Sequence, residues 1–273
     1  MKPARNITRS DVAVLLVLTA IVLCNIAAIG ATGRNRAKET VCLTNLRQWH
    51  GVFQDYLREN NGQFFTGQGS YGYWWPAQLD EATQSWKKNR TWFCPTATTP
   101  LADKDGHSSQ YWTPLMAWGI FTTPQLGLDG IAGSYGLNGY TIDIPLSDRY
   151  ESRYERGIRA EDGWRDLANV AQAETIPLFL DALRFDLWPL HTDAPVENPN
   201  AAWVGSNMGR CCINRHSGGV NCLFLDGSAR KVGLKELWTL KWHKSFDTAG
   251  PWTQAGGVTV ADWPQWMHEF KDY

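Results

Sequence analysis

Nine residues separate His216 from Asp226-Gly227. An imidazole and a carboxylate in one short unit are the raw material of a proton relay or a metal site. The intervening residues argue against a direct pair. Val220–Leu225 alternates as a strand, Asp226-Gly227 is a hairpin signal, and Ala229–Val232 reads as the returning strand. A type I′ turn is expected, with positive φ at both central residues. Phe224 and Cys222 are expected to face the long N-terminal helix. His216 then falls at the entry end of the strand, and a straight path separates it from Asp226 by roughly 30 Å. A zinc set drawn from Cys211, Cys212, His216 and Cys222 has suitable atoms, but adjacent cysteines are awkward around one tetrahedral ion. No nucleophile elbow, phosphate loop, dinucleotide fingerprint or Cys-x-x-Cys pair occurs. The motif residues His216, Asp226 and Gly227 therefore read as structural. No catalytic residue, cofactor-binding residue or metal site is assigned, and the chain reads as a non-enzyme.

These residues hang on a long helix and a small sheet. Cys42, Leu46, Trp49, Phe53 and Tyr56 recur at spacings of 4, 3, 4 and 3, one apolar helical stripe. Asn60-Asn61-Gly62 supplies its stop. Trp49 and Phe53 are expected in the core. Trp92–Pro95 and Thr175–Asp181 read as strands, and short helices are expected near 77–87, 162–172 and 235–243. Upstream, an uncharged run over 12–29 follows Lys2, Arg5 and Arg9 and precedes Arg34, Arg36 and Lys38. Its length predicts a single membrane span. The expected organisation is a basic cytoplasmic tail at 1–11, a transmembrane helix at 12–29, its continuation over 30–62, and an extracytoplasmic α+β domain over 63–273.

An extracytoplasmic domain permits disulfides. Cys42, Cys94, Cys211, Cys212 and Cys222 are the candidate partners: Cys42 with Cys94, clamping helix to sheet, and Cys222 with Cys211 or Cys212. The odd count leaves one free, and Cys24 lies within the apolar run. With 26 Lys and Arg against 27 Asp and Glu, the net charge of −1 gives no field for nucleic acid, which is excluded as a partner. The 15 Trp residues are mainly core material, with a glycan-stacking surface as the alternative and Trp74 and Trp75 as its test positions.

Taken in order, several short motifs resemble bacterial prepilin-like proteins of the type II secretion and type IV pilus class. They are Cys42-Leu43-Thr44-Asn45-Leu46-Arg47-Gln48, Asn60-Asn61-Gly62, Cys94-Pro95, Ser134-Tyr135-Gly136-Leu137-Asn138-Gly139, Ile176–Asp181, and His216, nine residues, then Asp226-Gly227. The last resembles a branch marked by that C-terminal motif. The resemblance implies an inner-membrane anchor and a long helix packed on an antiparallel sheet. It also implies a pseudopilin-type structural role beside other pilin-like subunits or secretion machinery. The stretch Asn6–Asp11 matches the family's peptidase site, retaining Thr8 and the acidic Asp11, the implied assembly residue, but carrying Asn6 where the family has Gly. Calcium held by loop carboxylates is a family trait, for which Asp181, Asp226 and Asp247 are the candidate donors. The alternative function is a membrane-stalked, non-polymerising module that binds glycan or protein.

Overall fold

A computed structural model describes residues 8–67, 75–97, 113–124, 126, 129–145 and 158–273. Helix α1 runs from Arg9 to Glu59. Its apolar stripe becomes one wall of the core: Cys42, Leu46, Trp49, Phe53 and Leu57 are buried, Trp49 and Phe53 at 1% exposure each. The helix stops where the stop signal stands. Asn61 and Gly62 take left-handed φ values of 56° and 78°, and the Gly62 amide donates back to the Leu57 carbonyl at 2.8 Å.

The expected membrane span over 12–29 is corrected. Among the described residues, no helix is long and apolar enough to cross a membrane. An inner-membrane location, anchoring and a single-pass topology therefore fall away as conclusions. Asn6 lies outside the described residues, as does the side chain of Asp11.

Among the described residues seven strands follow: β1 (Trp118–Phe121), β2 (Ile131–Gly133), β3 (Tyr135–Asn138), β4 (Pro177–Asp181), β5 (Asp186–Leu187), β6 (Gly219–Phe224) and β7 (Ala229–Gly233). The first two form a ribbon, and the rest form one sheet in the order β5-β3-β4-β6-β7. The sheet is mixed, not purely antiparallel, because β5 pairs parallel to β3 through Leu137 and Asp186. Antiparallel pairing sets Leu180 against Cys222 and Tyr135 against Asp181.

Both faces of this sheet are covered, which reverses one expectation. Leu223 and Leu225 share the core of α1, with Trp49, Trp75, Trp92 and Phe179. Val220, Cys222 and Phe224 face a second core built by the C-terminal segment, with Leu234, Trp238, Trp242 and Trp263. Alternation along β6 is as a strand demands, but it is the Leu223 face that meets the helix. The outlying helices shrink. Only α2 (Glu81–Gln84) forms near 77–87, capped by Asp80, and the other two stretches hold short 3₁₀ turns. Trp75 is buried with its indole N–H donating to the Phe185 carbonyl at 2.8 Å, so it offers no glycan a stacking face. Trp74 lies outside the described residues.

The β6–β7 turn also differs. The Gly227 amide donates to Phe224 O at 2.9 Å, and the Phe224 amide to Ser228 O at 2.8 Å. Only Gly227 has positive φ, at 85°. This is a three-residue loop with a glycine bulge. A Cβ on Gly227 would meet the His50 ring at 2.6 Å, so the close approach of α1 demands glycine there.

Candidate metal centre

Four side chains from four separate elements converge beneath α1. Cys42 comes from the buried stripe of the helix. Cys94 follows the 3₁₀ turn at Arg90–Trp92, its amide held by Ser134 Oγ at 2.6 Å. Asp181 ends β4, and His216 sits in the loop entering β6. That loop turns through Ser217 and Gly218, both at positive φ (48° and 89°). The Gly218 amide is fixed by Asn214 Oδ1 at 2.7 Å, and the His216 amide donates to Gly219 O at 3.0 Å.

The four ligating atoms all lie within 4.8 Å of one another, and all four residues are buried. His216 Nε2 is 3.1 Å from Asp181 Oδ2 and 3.3 Å from Cys94 Sγ. The Cys42 thiol reaches both Asp181 oxygens at 3.7 Å. A second ring of donors surrounds them. Tyr135 OH donates to Cys42 Sγ at 3.3 Å, and the Asn221 amide to Asp181 Oδ2 at 2.9 Å. Arg215, with no exposed side-chain surface, pairs with Asp181 Oδ1 at 3.1 Å.

The electrostatics follow from this crowding. Burial pushes the Cys42 thiol well above its ordinary value, and its contacts with Cys94 and Asp181 add to that. Burial also acts against a Cys94 thiolate, but hydrogen bonding from Cys42 and the neighbouring His216 and Arg215 bring Cys94 down to about 6. Burial opposes a charged His216, yet its bonds to Asp181 and Cys94 raise it to about 10. Asp181 is pushed up by burial and drawn below the usual carboxylate range by His216, Arg215 and the Asn221 amide. A thiolate–imidazolium pair is thus available at Cys94. It lacks the geometry of a nucleophile relay, since one nitrogen, Nε2, faces both the sulfur and the carboxylate, and Cys94 has no exposed surface. The same convergence on one point is what a metal requires.

The sequence reading distributed these residues among different roles. Cys42 and Cys94 were expected as a disulfide, Asp181 as a calcium donor and His216 as a packing residue; the structure brings all four together. Cys42, Cys94, Cys211, Cys212 and Cys222 are free thiols. Cys211, Cys212 and Cys222 lie in the second core, where burial raises each of them. Asp226 accepts from Ser228 within its own exposed turn, and Asp247 accepts from the Ala249 amide on the surface. Neither joins Asp181, and two sulfurs make the cluster a poor match for calcium. The expectation of a purely structural chain without a chemical site is overturned by this group. Arg215 went unnoticed in the sequence, although it adjoins the motif histidine.

The chain matches no protein-family model, no curated protein and no solved structure. The prepilin-like identity, with its pilus or secretion partners, is corrected accordingly. The motifs that suggested it are short, and four of their residues, Cys42, Cys94, Asp181 and His216, meet in the cluster.

Proposed function

We propose that this chain is a metal-binding protein whose centre takes a divalent ion of the zinc class through Cys42, Cys94, Asp181 and His216. The observation that carries the reading is the spacing of the donors. Zinc bond lengths of about 2.3 Å to sulfur and about 2.0–2.1 Å to nitrogen or oxygen set tetrahedral edges of about 3.6 Å from sulfur to nitrogen or oxygen, and about 3.3 Å from nitrogen to oxygen. Of the six separations here, three are 3.7 Å for Cys42 to Asp181, 3.3 Å for Cys94 to His216 and 3.1 Å for His216 to Asp181, and the others lie within 4.8 Å. Two thiolates favour a soft or borderline ion over magnesium or calcium. Charge agrees as well. Three anionic ligands against a divalent ion leave one negative charge, and buried Arg215 neutralises it. Tyr135 and the Asn221 amide orient the ligand atoms as outer-shell donors do.

Four protein donors in a buried pocket make a closed site of the kind that contributes folding energy. Here it would pin α1 to the end of β4 and the loop entering β6. The test is metal analysis of purified full-length protein, together with cobalt substitution. One equivalent of metal per chain is expected, with a tetrahedral, thiolate-bearing cobalt spectrum. Cys94→Ser and His216→Gln should each lower the metal affinity 10-fold or more. Metal below one-tenth equivalent after growth in zinc, or full occupancy retained in a Cys42→Ser/Cys94→Ser variant, would sink the reading.

A further inference from the structure

On the outer side of His216 a cleft of about 730 Å³ opens to solvent between α1 and the loop that carries the histidine. Its charge is lopsided. Among the described residues Arg36 and Lys38 of α1 and Lys231 of β7 line it, opposed by one carboxylate, Glu39. Glu39 is already engaged by Lys231 at 3.3 Å. Arg215 contributes no free charge, being spent on Asp181 and on backbone carbonyls. Arg36 and Lys38 are exposed, and among the described residues neither has an ion-pair partner. Among the described residues two cations are therefore in excess along the rim of the cleft, on a chain whose net charge is −1. Thr96, Asn214 and Ser217 line the same cleft, and their hydroxyl and amide groups can donate hydrogen bonds. Leu115, on the same wall, is 53% exposed and apolar.

We propose that this cleft binds a phosphate monoester of a small organic molecule. Two cations and several neutral donors suit an oxyanion with three acceptor oxygens. The cleft lies within the roughly 300–1,000 Å³ range of small-molecule sites, leaving room for more than a phosphate group. Leu115 gives the organic part an apolar contact. The inference does not depend on a metal at the neighbouring cluster, because Arg36, Lys38 and Lys231 belong to the cleft alone.

The test is calorimetric titration of the full-length chain with inorganic phosphate and with phenyl phosphate, at ionic strength matched with sodium chloride. Saturable binding of both is expected, with phenyl phosphate the tighter. The exposed double variant Arg36→Gln/Lys38→Gln should weaken phenyl phosphate about tenfold, two exposed charge contacts being lost. Its circular dichroism and metal content should stay at the parent level. The control Lys88→Gln/Arg90→Gln, which removes two exposed charges elsewhere, should leave binding unchanged. Absence of saturable binding would overturn the proposal. So would a loss of equal size in the control pair, which would mark the attraction as diffuse charge. A metal-free preparation that still binds phenyl phosphate would separate this site from the metal reading.

Discussion

Replacing Arg215 should destabilise the fold far more than a surface arginine would. Its guanidinium uses four donor contacts: Nε to Pro114 O at 2.9 Å, Nη1 to Ser134 O at 2.8 Å and to Asp181 Oδ1 at 3.1 Å, and Nη2 to Met116 O at 2.7 Å. Three of these acceptors are carbonyls from two separate backbone segments, so one side chain joins the 113–117 segment, Ser134 and the end of β4. Arg215→Met leaves a buried carboxylate short of one partner and takes a donor from three carbonyls, of which Ser134 O keeps the Ala182 amide at 2.9 Å. The expected loss is about 3–5 kcal/mol, the range for breaking a buried ion pair. Arg215→Lys keeps the charge but has three donors on a single nitrogen, and cannot reach carbonyls spread across a planar fork. It should still lose about 2–4 kcal/mol. The assay is urea unfolding followed by tryptophan fluorescence, with every variant held at the same free metal concentration so that ligand linkage does not shift the comparison. A loss below about 1 kcal/mol for Arg215→Met, or a neutral Arg215→Lys, would show that these bonds do not contribute the stability assigned to them.

Two further outcomes follow from particular contacts. Gly227→Ala should lose about 1–3 kcal/mol, from left-handed backbone and from the His50 ring 2.6 Å from the new Cβ. Adding His50→Ala should recover only the second part in a double-mutant cycle of unfolding free energies. His243 is driven by burial down to about 4, with its ring against Tyr140 and Phe246 and with Ser245, Asp162 and His191 as its polar neighbours. Between about pH 6.5 and pH 4 the unfolded chain takes up a proton that the folded chain refuses, so stability falls as pH drops through that window. The loss should be about 2–3 kcal/mol after allowing for partial solvent screening. Unfolding of His243→Phe measured across pH 4–7 should show that much less pH dependence than the parent, and parallel curves would refute the assignment.

Much of the scaffold was legible because it rests on local physics. A 4-3-4-3 apolar stripe can only bury one helical face, and Asn61-Gly62 can only end it in a left-handed turn. The Val220–Leu225 alternation had to be a strand. Its inward face was misassigned for a reason outside the strand. Hydrophobic alternation tells which residues share a face, not which layer covers it, and a C-terminal segment with hardly any regular structure builds a second core around Trp238 and Trp242. The turn was misread because the helix approaches it closely: the His50 ring reserves position 227 for glycine, and the glycine signal was read as pure turn chemistry.

The metal cluster shows where such reading stops. All four of its residues stood out in the sequence for their chemistry, yet they are dispersed over 42–216, and only strand order makes them neighbours. Once β4 pairs antiparallel with β6, Leu180 faces Cys222, and the Asn221 amide donates to Asp181. That brings the carboxylate to the entry of β6, where the Ser217-Gly218 turn folds His216 back over it. A straight chain would have carried the histidine away from any carboxylate, and the reasoning that separated it from Asp226 was sound for Asp226. The partner came instead from the adjoining strand, a relation fixed by sheet topology and not by distance along the chain. Cys42 arrives from the opposite layer, because the stripe that buries Trp49 and Phe53 places the cysteine two turns earlier on the same face. The cluster is therefore a consequence of packing one helix across one strand pair, with Cys94 brought in by the segment after the 3₁₀ turn at Arg90–Trp92 and held by Ser134. On the proposed metal-binding reading, removal of the ion is accordingly expected to loosen α1 from the ends of β4 and β6 before it disturbs the second core.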